Sequence, residues 1–264
     1  MPKGVCAFAL TKQKKYGKMR IMEVFWMLFQ FSDRLWYTPS EEATDRPVLG
    51  YLCGDHRSLM IDAGNSARHA AGFLHLLDER NLPHPELVAL THSHWDHCYG
   101  LCALDAVSIC CAATRKDLER DASLVWSDDA MHAYLETGIV QKFCEEHMRV
   151  EYPRLEEIQV NLPEIVFSGE LTIDLGGCHA VLRQLTNPHT EDGVVVWLPE
   201  ERVLFAGDAA YEELVGNDWI DHPDRLSSFA SALREMDFTH CFVGHGEPMT
   251  RNALFDWFSQ RLSV

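Results

Sequence analysis

Short apolar runs separated by turn residues recur along most of the chain, and stretches with helical spacing fall between them. Runs at 24–30, 34–38, 48–53 and 58–62 predict strands, the first of them buried. Ser66 to Arg80 predicts a helix with Leu74, Leu76 and Leu77 on its apolar side. Further strands are expected at 86–91, near 106–111, and at 164–167, 170–175 and 179–185. The runs 193–198 and 202–206 flank Pro199-Glu200-Glu201, which reads as a hairpin turn. A helix from Asp224 to Glu235, capped by Asp224, precedes a strand at 240–244. Residues 115–150 read as helical and carry Trp126, Met131, Tyr134, Phe143 and Met148. They form either a lid over a site or a packed pair of helices facing the core.

The candidate chemistry lies at the ends of the apolar runs. After Leu87-Val88-Ala89-Leu90 comes Thr91-His92-Ser93-His94-Trp95-Asp96-His97, three histidines and a carboxylate in six residues. Imidazole and carboxylate are ligands preferred by borderline divalent metals such as zinc. In an extended chain the side chains of 92, 94 and 96 point to one side. Three more ligand types each close an apolar run of their own: His189, Asp208 in Gly207-Asp208, and His245 in Gly244-His245-Gly246. Each alone reads as a turn or cap residue. Together, on strand ends, they read as one site carried by a rigid sheet.

This order of motifs resembles the metallo-β-lactamase fold superfamily, from the strand and Asp-x-Gly at Leu59–Gly64 to His245, roughly residues 22 to 250. The resemblance implies an α/β fold, an αββα four-layer sandwich of two mixed β-sheets flanked by helices. It implies that His92, His94 and His189 hold one metal, that Asp96, His97 and His245 hold a second, and that Asp208 bridges them. Asp62 would orient a ligand from behind. Two Zn2+ per chain are expected, with iron or manganese as alternatives for a His/Asp site. Two such cations, about 3.5–4 Å apart, share a hydroxide that is nucleophilic near neutral pH. Asp96 would steer it or pass a proton to the leaving group. Cys98 reads as a small packed residue.

Departures from family patterns narrow the reading. Asp208 stands where the best-known zinc β-lactamases have cysteine, so β-lactamase activity is expected to be weak or absent. The bridging Asp resembles the glyoxalase II, lactonase and phosphodiesterase branches. His94 stands where the di-iron flavoprotein reductases have Glu. Only 19 residues follow His245, too few for the helical substrate domain of glyoxalase II. The expectation is a dinuclear zinc hydrolase acting on a small ester, thioester, lactone or related molecule. A phosphodiesterase of the same fold and a mononuclear iron enzyme resembling the persulfide dioxygenases are the alternatives, and a non-catalytic binding protein is a third. Trp95, Tyr99 and Trp219 are candidate pocket residues, Trp95 and Tyr99 the better placed, with packing beneath the ligand loop as the other reading of those two.

Composition adds a few constraints. The chain has 264 residues, ordinary for one domain of such a fold, and 47% of them are hydrophobic. Residues 1–20 carry six Lys and Arg and no acid, and are expected to be a disordered basic N-terminal extension ahead of a single domain over 21–264. The net charge is −17, so the chain beyond that extension carries −23. Such a surface repels polyphosphate and weighs against nucleic-acid partners, in favour of a small-molecule substrate. The apolar run at 24–31 is far shorter than the roughly 20 residues of a membrane span. Nine cysteines without regular spacing suggest reduced thiols and a cytoplasmic protein.

Overall fold

Alternation along single strands builds the layers. The computed structural model describes residues 27–263. In β4 (Ser58–Ile61) all four residues are buried, yet Leu59 and Ile61 join one core while Met60 joins another. In β3 (Leu49–Cys53) Leu52 faces the first core, and Leu49 and Tyr51 face the second. A sheet buried on both faces needs a partner on each side. These strands lie inside a seven-stranded sheet ordered β1 (Phe29–Gln30), β2 (Leu35–Thr38), β3, β4, β5 (Leu87–Ala89), β6 (Val107–Cys111), β7 (Ile165–Phe167). Pairing is antiparallel from β1 to β4 and parallel from β4 to β7.

The parallel pairs require crossovers, and helices supply them. α1 (Ala67–Glu79) and the one-turn α2 (Trp95–Cys98) lie before β6, and α3 (Ala112–Ala122), α4 (Asp128–Thr137) and α5 (Lys142–Glu151) lie between β6 and β7. A second sheet joins β8 (Glu170–Asp174), β9 (His179–Gln184), β10 (Val194–Leu198) and β11 (Val203–Gly207) to β14 (His240–Val243) and β15 (Met249–Thr250). β12 (Glu213–Val215) and β13 (Asp218–Ile220) form a separate hairpin. The central core between the sheets sets Leu59, Ile61 and Ile109 against Leu182, Val196 and Phe205. Phe205 and Phe242 stack there at 4.6 Å. Gly50 faces Phe205 so closely that a Cβ would come within 2.6 Å of its ring, so glycine lets the sheets approach. Outside the second sheet, α6 (Pro223–Arg234) and α7 (Arg251–Arg261) contribute Phe229, Leu233 and Phe258 to a third core. The expected αββα sandwich of two mixed sheets is the observed architecture.

Several local expectations change. The expected extension at 1–20 and residues 24–26 lie outside the described residues. Phe29 and Gln30 are exposed, because β1 is an edge strand with one neighbour. The buried face of α1 is His69, Ala70, Phe73 and Leu77. Leu74 and Leu76 are half-buried at its margins. α6 starts one residue earlier than expected: His222 takes the N-cap position, Pro223 opens the first turn and Asp224 lies within it, as the preset φ of proline favours. The 115–150 stretch holds three helices, each opened by its own capping position. Among the described residues no helix is long and apolar enough to cross a membrane.

Candidate metal centre

The carboxyl ends of β4, β5, β11 and β14 and the loop after β9 meet at one end of the sandwich. Two cross-links close it: the Val194 N–H donates to the Thr91 carbonyl and the Val48 N–H to the Gly244 carbonyl, each at 2.7 Å. The seven expected ligands converge there in two groups, His92, His94 and His189 in one and Asp96, His97, Asp208 and His245 in the other, with the ligand atoms of each group within 4.8 Å of one another. Only part of the ligand loop keeps the extended geometry that places alternate side chains together. It serves His92 and His94. At Trp95 the chain turns into α2, and that single turn carries Asp96 and His97 to the second group.

Asp208 faces both groups. Its Oδ2 lies 3.7 Å from His189 Nε2 and 3.4 Å from His245 Nε2, and its Oδ1 lies 3.5 Å from His97 Nε2. Asp96 Oδ2 lies 3.1 Å from His97 Nε2 and 3.0 Å from His245 Nε2. In the first group His189 Nε2 is 3.0 Å from His94 Nδ1. Gly244 keeps this space open, since a Cβ there would come within 1.9 Å of Asp208 Oδ1.

The donors fit a metal ion. His92 Nε2, His97 Nε2 and Asp208 Oδ1 are buried and make no hydrogen bond, a costly arrangement that coordination would resolve. The other ring nitrogens are held from behind, as ligand imidazoles usually are. Nδ1 of His189 donates to the Glu212 carbonyl at 2.7 Å. Nδ1 of His97 lies 2.7 Å from Asp62 Oδ2, and Nδ1 of His92 lies 3.1 Å from the Thr91 hydroxyl.

Burial and neighbouring charge set the protonation preferences. Burial, reinforced by His97 and His94, holds His92 well below the usual imidazole range. Burial and His94 lower His189 to about 4. Both favour the neutral, coordinating form. Burial would also lower His97 and His245, but Asp96, Asp62 and Asp208 around the first, and Asp208 and Asp96 around the second, raise them instead. The same contacts overcome burial at Asp96 and Asp208 and hold both carboxyls below their ordinary range.

Asp62 sits at φ 59° at the end of β4, a left-handed conformation that asparagine and aspartate tolerate best. From there it also accepts from the Thr91 N–H at 2.7 Å and the Thr91 hydroxyl at 2.9 Å. The Cys98 thiol donates to the His92 carbonyl at 2.9 Å, and burial pushes it well above the usual thiol range. It therefore packs beneath the loop. Trp95 and Tyr99 are also buried, in the core between the first sheet and its helices. Tyr99 sits edge-on to Trp126 at 5.8 Å, and its hydroxyl donates to Asp121. Trp219 stands on β13, half exposed, edge-on to Phe143 of α5 at 5.5 Å.

Three residues with no role in the sequence pattern support the site. Asp192 accepts from the Ser93 N–H and the Thr114 hydroxyl at 2.8 Å and from the Thr190 hydroxyl at 2.5 Å, so one carboxylate ties both ligand loops to α3. The Asn187 side-chain oxygen accepts from the N–H groups of His189 and Thr190, each at 3.0 Å. Its Asn-Pro-His context is the one signal that could have pointed to it, since Asn often braces the turn after it. Asp45, also left-handed at φ 54°, places Oδ1 3.7 Å from His245 Nδ1. Burial and Asp96 push Asp45 up to about 7 against the opposing pull of His245 and His147.

Comparison with known proteins agrees with this fold. The sequence model of the Metallo-beta-lactamase superfamily matches residues 43–243. No curated protein sequence matches significantly. Among solved structures, a stereoselective inverting sec-alkylsulfatase from Pseudomonas sp. is 17% identical, with a TM-score of 0.65 over 88% of this chain and 40% of that one. This chain thus spans well under half of the sulfatase. A metallo-beta-lactamase from Pontibacter korlensis is 16% identical, with a TM-score of 0.60 over 89% of this chain and 97% of that one. A metallo-beta-lactamase family protein from Thermus thermophilus is 21% identical, with a TM-score of 0.59 over 89% of this chain and 81% of that one. At these identities the likeness is one of fold.

Proposed function

The chain belongs to the metallo-beta-lactamase superfamily, and on that premise we propose that it is a dinuclear zinc hydrolase of a small ester, thioester or lactone. The observation that carries the reading is the position of Asp208, one carboxylate within 3.7 Å of ligand nitrogens from both groups. A pair of divalent cations held there supplies an activated water and a Lewis acid for the oxygen under attack.

The remaining work falls to the chain. His92, His94 and His189 present ring nitrogens on one side of Asp208, those of His92 and His189 kept neutral by burial. Asp96, His97 and His245 present a mixed set on the other. Asp96 Oδ2, beside His245 Nε2, is the group we assign to orient the attacking water as an acceptor. Asp62 fixes the ring of His97 through Nδ1. The chain carries −17, which supports a neutral or cationic small molecule over a polyanion. A carboxylate in place of a thiolate at the bridging position supports weak or absent action on β-lactams.

The test is a paired panel on zinc-reconstituted protein: nitrophenyl esters, a lactone, a thioester and a chromogenic β-lactam against a nitrophenyl phosphodiester. Acyl turnover that a chelator removes and zinc restores is the expected result. Phosphodiester turnover alone would overturn the acyl reading. Iron in the purified protein with oxygen uptake would overturn the hydrolase reading.

A further inference from the structure

Two elements flank the donors. On one side stands the β12–β13 hairpin, rooted beside Glu212, whose carbonyl holds His189. On the other stands α5, packed against the turn at 42–44, whose next residue, Asp45, lies beside His245. Each flanking element is thus anchored at a ligand of a different group.

The hairpin register gives its faces. Leu214 pairs with Trp219 and Glu213 with Ile220, so Leu214 and Trp219 share one face and Glu213 points from the other. Glu213 is taken by His222 at 2.7 Å and Arg225 at 3.1 Å, at the start of α6. The opposite face is left to turn toward α5. There Trp219 meets the ring of Phe143 at 80°, and Phe143 rests against His147, one turn further along α5, at 4.4 Å. Trp219 nevertheless remains 51% exposed, so core packing does not account for this large ring. Beside this pair a crevice of about 270 Å³ separates the α4–α5 turn from the hairpin tip, with Leu135, Val140 and Gly216 among its walls. That lies near the lower end of small-molecule pockets.

We propose that Phe143 and Trp219 clamp the hydrocarbon tail of the substrate, which makes the preferred substrate an acyl ester or thioester with an extended apolar chain. The proposal rests on the hydrolase reading of the same centre. The carbonyl carbon sits at the donors, and the tail lies along the exposed side of the two joined rings, toward the crevice. Burial of methylenes then makes affinity rise with chain length, about fourfold for each one buried.

Binding and turnover are measured separately so that the two readings fail separately. Calorimetric titration with decanoate and with acetate is run on the wild-type protein, Trp219→Ala, Trp219→Phe and Phe143→Ala. Decanoate is expected to bind far more tightly than acetate. The two alanine variants should weaken decanoate about tenfold, and Trp219→Phe should restore most of the loss. The same variants, loaded with zinc, should lose far more kcat/KM on long-chain nitrophenyl esters than on nitrophenyl acetate. Equal binding of decanoate and acetate, or unchanged decanoate binding in both alanine variants, overturns the clamp. Chain-length-dependent binding with no ester turnover supports the clamp and overturns the hydrolase reading instead. Trp219 is an exposed residue on a surface hairpin, so its truncation leaves the three cores intact.

Discussion

Nδ1 of His97 lies 2.7 Å from Oδ2 of Asp62, and the other Asp62 oxygen accepts the Thr91 N–H. One carboxylate therefore aims a candidate ligand ring and fixes the start of the ligand loop. Asp62→Asn should weaken metal binding about 10–100-fold, the usual cost of losing such a support. Competition with a chromogenic chelator reads it directly. An unchanged affinity would show that the surrounding packing alone orients His97.

Asp208→Ala should lose metal and activity together while the fold survives. Elemental analysis is expected to find at most one metal in the variant, and far-ultraviolet circular dichroism should match the parent. Retained activity would sink the dinuclear assignment.

Metal addition should stabilise the protein by mass action. At a hundredfold excess over Kd the gain is about 2.7 kcal/mol, seen as a rise of several degrees in the melting temperature. His92→Ala should abolish most of that rise. A melting temperature indifferent to zinc would argue against binding by the folded state.

Asp192 receives three hydrogen bonds from three segments of the chain. Asp192→Ala strands the Ser93 N–H in a buried loop. We expect a loss of about 3 kcal/mol in urea unfolding and weaker zinc binding, since both ligand loops hang on this carboxylate. Unchanged zinc affinity in a destabilised variant would show that the ligand loops hold their shape without it.

Glu151, at the end of α5, is buried among Arg46, Arg68 and the Ser66 hydroxyl. Burial would raise its carboxyl, but these three partners outweigh burial and hold it below the ordinary value. The unfolded chain takes up the proton first on acidification. The ion cluster therefore stabilises the protein above the usual glutamate range and loses its effect as pH falls through the lower folded value. Glu151→Gln should cost about 3 kcal/mol at neutral pH, and the gap to the parent should narrow in acid. A constant gap across that window would refute the link.

Most strand positions and the clustering of the seven candidate donors were legible because both follow short-range rules. Alternation marks buried strands, and ligands at the ends of apolar runs mark a site carried on a sheet. Missed features are those fixed by distant partners. Asp192 looks like any acidic loop residue until it is set beside Ser93, 99 positions away. Asp45 matters only because His245 folds against it. Trp95 and Tyr99 adjoin the ligands in sequence, but the turn of α2 buries them. The β12–β13 hairpin and α7 were not expected. Each hairpin strand has three residues, too short for a periodic signal. In α7 the apolar positions are too evenly spread for a clear stripe, and only Leu254 and Phe258 are buried.

The seven donors come from both sheets, and Asp96 and His245 lie 149 residues apart along the chain. Contacts of that span carry a loop-closure cost that only docked elements recover. An unfolded or half-folded chain offers a metal only the local run from His92 to His97. The complete set of donors exists once the second sheet has seated on the first. Metal uptake during refolding would therefore act as a clock for sheet docking, and it should lag behind the formation of helices and of either sheet alone.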